Sequence, residues 1–245
     1  MNSYRGILGI SLVGLFAVAG CDHDAPPDPK PPVSNVFSFK LDSGNERWEA
    51  GFADYPVGEE TFFELQSGWQ PLPAPLADTN GILLSGNNHS DDLFMFIKRR
   101  VEGLSSNARY RLGFEIEIAT NADTGCRGVG GAPGESVFVK AGATPVEPLP
   151  VRASEGGRQI YRMNIDPGIQ SQGGRDAVVM GNVANTQTDC SDKKYELKRL
   201  NNEAVPFTVK TDKDGGLWLL LATDSAFEGT TSVFYTDIRV TANPD

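Results

Sequence analysis

Residues 109–119 read RYRLGFEIEIA, with Tyr110, Leu112, Phe114, Ile116 and Ile118 at every second position and Arg109, Arg111, Glu115 and Glu117 between them. Successive side chains of a strand point to opposite faces, so this run is a half-buried strand with one apolar face. Period-two runs recur at 37–41, 61–65, 137–139, 160–165, 207–209 and 233–240. The denser apolar stretches 93–97 and 217–222 read as strands buried on both faces. Between them stand turn clusters at 85–88, 128–134, 172–174 and 212–216, and the chain carries 27 Gly and 16 Pro in 245 residues without a repeat. Beyond the N-terminal apolar segment no sustained helical period occurs. The pattern predicts an all-β fold, a two-sheet antiparallel β-sandwich formed by one domain over 34–245.

Ahead of that domain the composition changes twice. Residues 1–5 hold one positive charge, 6–19 are apolar, and Gly20-Cys21 follows. The segment 1–20 reads as a secretory signal peptide, too short for a comfortable membrane span. Val18-Ala19-Gly20-Cys21 resembles the lipobox of bacterial lipoproteins. The resemblance implies cleavage before Cys21, acylation of Cys21 with chains such as palmitate, and a lipid anchor as the contact with the membrane. From 22 to 33 the chain reads DHDAPPDPKPPV, five prolines in twelve residues, which is an extended tether. The expected location is the bacterial cell envelope, exposed to the periplasm or the cell surface. Asp22 resembles the inner-membrane retention signal of enterobacterial lipoproteins, a rule that varies between bacteria, so the choice of membrane stays open.

Charge and cysteines narrow the chemistry. Lys plus Arg total 22 against 32 for Asp plus Glu, a net charge of -10, and removing residues 1–20 takes away only Arg5, giving -11. That balance disfavours nucleic acid and anionic membrane surfaces as electrostatic partners. With Cys21 consumed by lipid, Cys126 and Cys190 remain as an even pair in an oxidising compartment, and a single disulfide is the economical reading. The alternatives are two free thiols or half of a metal site. No Cys-x-x-Cys occurs and His89 is the only histidine beyond the tether, which argues against zinc.

Residues 101–114, VEGLSSNARYRLGF, resemble the Gly-Leu…Asn…Tyr-x-Leu-x-Phe signature of galactose-binding-like jelly rolls, a group that includes many carbohydrate-binding modules. Gly103-Leu104 closes one strand, Asn107 turns, and Tyr110 opens the next. The run 233–240, VFYTDIRV, resembles the closing strand of those modules, and 37–48 is similar to their opening strand without its usual Asp-Gly-Trp. The resemblance implies a jelly roll, glycan as the ligand class, and a structural calcium held in part by Asp237.

Direct catalytic signals are few. There is no G-x-S-x-G elbow, a Ser/His/Asp triad would have to use His89, and the glycine-rich 128–134 loop lacks the spacing of a nucleotide loop. Glu115 and Glu117 lie on one strand face, and two carboxyls so placed are what glycoside hydrolysis requires. The plainer alternative pairs them with Arg109, Arg111 or the basic run 98–100 on neighbouring strands. In the polar loop 87–92, Asn88 and His89 offer amide and imidazole groups to sugar hydroxyls, or the loop's oxygens hold calcium, or the side chains only cap their own turn. The 212–216 cluster resembles the start of a calcium loop but lacks its closing glutamate, so a hairpin turn explains it better. Among the tryptophans, Trp218 is expected in the core, Trp48 is ambiguous, and Trp69 follows Gly68 in a loop setting where an exposed indole can stack on a sugar. The leading expectation is a non-catalytic, lipid-anchored jelly roll that binds glycan or a protein of the envelope. A jelly-roll glycosidase using Glu115 and Glu117, and a structural envelope lipoprotein without a small ligand, are the alternatives.

Overall fold

The structure is a computed structural model and describes Met1 and residues 32–245. Residues 2–31, which include Cys21 and nearly all of the segments read as signal peptide and tether, lie outside the described residues. Fifteen strands follow one another: β1 (Asn35–Lys40), β2 (Glu49–Ala53), β3 (Tyr55–Pro56), β4 (Gln66–Pro71), β5 (Asn80–Asn87), β6 (Leu93–Val101), β7 (Arg109–Thr120), β8 (Val137–Thr144), β9 (Pro150–Glu155), β10 (Arg158–Met163), β11 (Ala177–Asn182), β12 (Glu196–Asn201), β13 (Phe207–Lys210), β14 (Leu217–Ser225) and β15 (Thr230–Pro244). Among the described residues there is no helix.

The strands form a two-sheet antiparallel sandwich of jelly-roll type. The first sheet runs β12-β7-β15-β5-β4, with β1 also on β15 and β13 also on β7. Its centre is the long β7–β15 ladder, from Val233 opposite Thr120 to Pro244 opposite Tyr110. The second sheet runs β11-β8-β14-β6-β2. Their inner faces interdigitate, and the period-two strand supplies its apolar face as the pattern demands: Tyr110, Leu112, Phe114, Ile116 and Ile118 are all buried, against Ile97, Leu219, Leu221 and Val139 among others. Burying a side chain of this size stabilises by roughly 1.5–3 kcal/mol relative to leaving it in water.

The Gly103–Tyr110 link takes the form that its residues dictate. Gly103 has φ +92 and Asn107 φ 52, both left-handed, and the Tyr110 hydroxyl, inside the core, accepts from the Ser105 N–H at 3.0 Å. At 212–216 a tight turn forms around Asp212, whose Oδ1 accepts from the N–H groups of Asp214 (2.9 Å) and Gly216 (2.8 Å), but it joins β13 of the first sheet to β14 of the second and so is not the hairpin expected.

Two further expectations are corrected. Residues 61–65 are not a strand: the Phe63 N–H bonds the Glu59 carbonyl and the Leu65 N–H the Glu60 carbonyl, coiling the segment into a turn. The turn buries Phe63 against Tyr55 and leaves Phe62 57% exposed. The sandwich also carries a third sheet, β3-β10-β9. It is needed because β6 and β14 are apolar on both faces: Phe94, Phe96, Leu220 and Ala222 point away from the main core and bury against Ala53, Ile165 and Met163.

Candidate functional site

The chain leaves the second sheet at Asp54, a non-glycine residue at φ 63, and enters β3 of the covering sheet. The Asp54 N–H bonds the Tyr161 carbonyl at 2.7 Å and the Val57 N–H bonds that of Gln159 at 2.9 Å, so the 57–65 turn is delivered beside the start of β10. From the other side comes the 88–92 loop. Asn88 is 2% exposed, its amide donates to the carbonyls of Ser225 and Phe227 at 2.9 Å each, and its Oδ1 accepts from the Ser90 (3.1 Å) and Leu93 (3.3 Å) N–H groups. Asn88 is thus spent on the fold, and the residue it presents is His89, which faces solvent.

Together these elements line a cleft of about 740 Å³ with Pro56, Glu59, Phe62, His89, Arg158 and Gln159 on its walls. The exposed Phe62 ring stacks on the His89 imidazole, centroids 4.1 Å apart and planes 24° apart, and Phe63 backs His89 edge-on at 5.5 Å. An apolar ring surface beside an imidazole, a carboxylate, a guanidinium and an amide suits a ligand with one apolar face and a rim of hydroxyls. Of the residues singled out in the sequence only His89 lies in this cleft. Phe62, Glu59, Arg158 and Gln159 were missed; the doublet at Phe62-Phe63, which breaks the alternation, was the signal.

Glu115 and Glu117 open on a different surface, the outer face of the first sheet, in a cleft of about 510 Å³ shared with Lys40, Arg199, Asp237 and Arg239. Their cations are not the predicted ones. Arg199 donates to Glu117 at 2.9 Å and Arg239 lies 3.9 Å from Glu115, while Arg109 and Arg111 sit by Asp245 and Lys98 to Arg100 belong to the second sheet. The register explains this, since Glu117 stands opposite Arg199 on β12 and Glu115 opposite Arg239 on β15. Thr236 donates to the other oxygen of Glu117 at 3.1 Å, so both oxygens of that carboxylate are engaged.

Asp237 lies opposite Lys40 on β1 and Glu117 on β7, in the same mixed-charge face. Among the described residues no group of three or more His, Cys, Asp or Glu side chains converges on a metal position. The carboxylate with free oxygens is Asp123 instead, 2% exposed and with neither oxygen hydrogen-bonded among the described residues; buried Glu135 Oε2 is likewise unpartnered. Oxygen donors of that kind are what a hard divalent cation takes.

The tryptophans are redistributed. Trp48 is buried; Trp218, expected in the core, is only half-buried, with the Lys98 ammonium 5.2 Å from its ring. It faces the side of β14 opposite to Leu217, Leu219 and Leu221, which is why the leucine run around it misled. Trp69 lies on edge strand β4 rather than in a loop; it is 43% exposed, and its indole N–H donates to the Leu41 carbonyl at 2.6 Å. It is not part of the His89 cleft.

Beneath the covering sheet lies a network that the sequence did not announce. Lys140, fully buried, donates to Asp224 at 2.8 Å and to the Pro167 carbonyl at 3.0 Å. Arg162 of β10 bridges Asp54 and Asp92, each at 2.8 Å, and Glu155 at 2.8 Å. Burial raises the Asp54 pKa to about 7, against the opposing bond from Arg162, with the charges of Asp92 and Asp224 adding to the rise. Cys126 and Cys190 are joined by a disulfide, Cα to Cα 5.7 Å, which excludes the free-thiol and metal alternatives.

No family model matches the sequence, and no curated protein matches it. Among solved structures, a putative sugar-binding protein from Bacteroides thetaiotaomicron is similar at TM-score 0.39 and 10% identity, over 80% of this chain and 88% of that one. The CBM22-1 xylan-binding domain from Paenibacillus barcinonensis is similar at TM-score 0.38 and 10% identity, over 88% and 99%. The mannan-recognising carbohydrate-binding module TmCBM27 follows at TM-score 0.37 and 11% identity, over 86% and 98%. Scores this low bear on neither ligand nor mechanism, which rest on the clefts themselves.

Proposed function

We propose that this chain is a lipid-anchored protein of the bacterial cell envelope whose β-sandwich binds glycan without turning it over, at the cleft between the 57–65 turn, the 88–92 loop and β10. The observation that carries the reading is the exposed Phe62 ring held in a 4.1 Å stack on His89 over polar walls. The exposed ring and its imidazole partner together present an aromatic surface beside polar groups that can fix a ligand's orientation. A pyranose covers that surface with its apolar face and offers hydroxyls to Glu59, Arg158, Gln159 and His89. The lipid anchor rests on the Val18-Ala19-Gly20-Cys21 sequence and the proline-rich tether behind it. The ion-paired face around Glu115 and Glu117 serves no step in this reading.

The test is a glycan-array screen followed by titration of each retained glycan with wild type, Phe62→Ala and His89→Ala, and by product analysis. Saturable binding weakened at least tenfold by Phe62→Ala, with no product, is the expected result. Product formation abolished by Glu115→Gln or Glu117→Gln replaces the reading with a glycosidase. An array with no saturable binding moves the assignment to a protein partner in the envelope.

A further inference from the structure

Between β1 of the first sheet and β6 of the second, beside the 42–48 loop, lies a cleft of about 360 Å³ lined by Phe37, Phe39, Arg47, Arg99, Arg100 and Glu102. In a chain with a formal charge of -10, three arginines on one small cleft are a local inversion of sign. They are not equally satisfied. Arg100 is taken, donating to Asp212 at 2.6 Å and to Glu102 at 3.2 Å. Arg99 lies flat over the Phe39 ring at 4.0 Å, its side chain 12% exposed. Its Nη1 donates to the Glu46 carbonyl and stands 3.5 Å from the Glu46 carboxylate, but its buried Nε–H has no acceptor among the described residues. Trp48 packs edge-on against the same ring at 5.5 Å, in the core and not on the cleft wall. Arg47 forms no ion pair among the described residues. Burial lowers the Arg99 pKa, the like charge of Arg47 adds to the effect, and the bond to Glu46 opposes it.

The loop that carries Arg47 is strained. Glu46 (φ 49) and Arg47 (φ 60) are consecutive non-glycine residues in the left-handed region, a conformation that a Cβ disfavours. Asn45 holds them there, its Oδ1 accepting from the Arg47 N–H at 3.2 Å and its carbonyl from the Trp48 N–H at 2.8 Å. Strain of this kind persists only where the surroundings impose it, and its product here is a second guanidinium beside Arg99.

The unfilled buried group on this wall is a donor, the Arg99 Nε–H, and Arg47 beside it is an unpaired guanidinium, whereas Arg100 is met by Asp212 and Glu102. Buried donors without acceptors are rare in folded proteins and call for a partner. A group that only accepts, carries negative charge and matches a planar guanidinium is an oxyanion. We infer that the cleft between β1 and β6 is an oxyanion site, in which Arg47 and Arg99 grip a phosphate, sulfate or carboxylate group and Phe37 and Phe39 form the wall beneath it.

The test titrates the full-length chain with sodium sulfate and sodium phosphate, against sodium chloride at matched ionic strength, by calorimetry and by thermal melting. Expected are saturable binding by calorimetry and a Tm rise with the oxyanions that is smaller in Arg47→Ala. A ligand of the native state raises the melting point by mass action, whereas the general salting-out stabilisation by sulfate and phosphate acts equally on both proteins. Arg47→Ala, which removes an exposed and unpaired side chain, keeps the wild-type Tm in chloride and weakens oxyanion binding at least tenfold; Arg99→Gln does the same for affinity. His89→Ala leaves oxyanion binding unchanged, separating this cleft from the proposed glycan cleft. Oxyanion Tm shifts that are the same in wild type and Arg47→Ala, or unchanged binding by Arg47→Ala, overturn the inference. A second arm assigns the source: stronger capture by phosphatidylglycerol than by phosphatidylcholine vesicles, with the difference lost in Arg47→Ala, identifies a lipid headgroup, and free-anion binding with equal capture by both vesicles identifies a soluble or glycan-borne oxyanion.

Discussion

Asp54 is the residue on which the covering sheet turns, and it titrates where the fold can sense it. Its carboxyl is raised from 3.8 to about 7 by burial, with Arg162 holding it and Asp92 and Asp224 repelling it. A raised acid binds its proton more tightly in the folded state than in the unfolded one, so stability gains as pH falls from about 8 toward about 4. Asp92 and Asp224 are raised in the same direction, again by burial. The carboxyls held low, Asp166 and Asp212 (about 2), lose their contribution only below their unfolded values, outside that window. Wild-type Tm is therefore expected to rise between pH 8 and pH 5.5, and Asp54→Asn, which keeps an oxygen for Arg162, is expected to flatten that slope. An unchanged slope in Asp54→Asn would show that the titration belongs to another group. None of this was legible in the sequence, where Asp54, Asp92, Arg162 and Asp224 stand far apart and no local pattern marks them.

At the scale of the element, the 88–92 loop shows what a motif does and does not reveal. The polar run was visible, and so were its alternatives of ligand binding and self-capping; the tertiary structure divides them between neighbours, Asn88 inward and His89 outward. The division follows from the Ser225 and Phe227 carbonyls, which both accept from the buried Asn88 amide. Asn88→Ala removes those bonds together with the acceptor for the Ser90 and Leu93 N–H groups, a loss of about 2 kcal/mol. Chemical denaturation is expected to show that loss as a lower midpoint at unchanged slope, and glycan titration to show weaker binding because His89 is no longer held beside Phe62. The 61–65 segment is the opposite lesson. Its alternation was real, but the turn hydrogen bonds to Glu59 and Glu60 outweighed it.

Across the whole molecule, long-range pairing ties the first residues of the sandwich to the last, as β1 joins β15. The Cys126–Cys190 bridge closes a span of 64 residues between the link after β7 and the link before β12. In the chain-entropy account such a loop stabilises the fold by about 4 kcal/mol. The Cys126→Ser/Cys190→Ser double variant is expected to lose that amount in denaturant titration, and reductant is expected to bring wild type to the same midpoint. An unaltered midpoint in both would place the bridge outside the cooperative unit.

Strand class, the apolar faces of β7, β6 and β14, the Gly103–Tyr110 link and the economical pairing of two cysteines were all decided locally, because period, turn chemistry and parity are properties of neighbouring residues. The charge balance and the signal-and-tether pattern were likewise in the residues themselves. The third sheet, the partners of Glu115 and Glu117, the His89–Phe62 stack and the convergence of Arg47 on Arg99 were decided only by tertiary structure. Each depends on which strands become neighbours across tens of residues: a one-residue slip would send Glu115 and Glu117 to the other face, and the loops that carry Phe62, His89 and Arg47 meet only because distant strands pair.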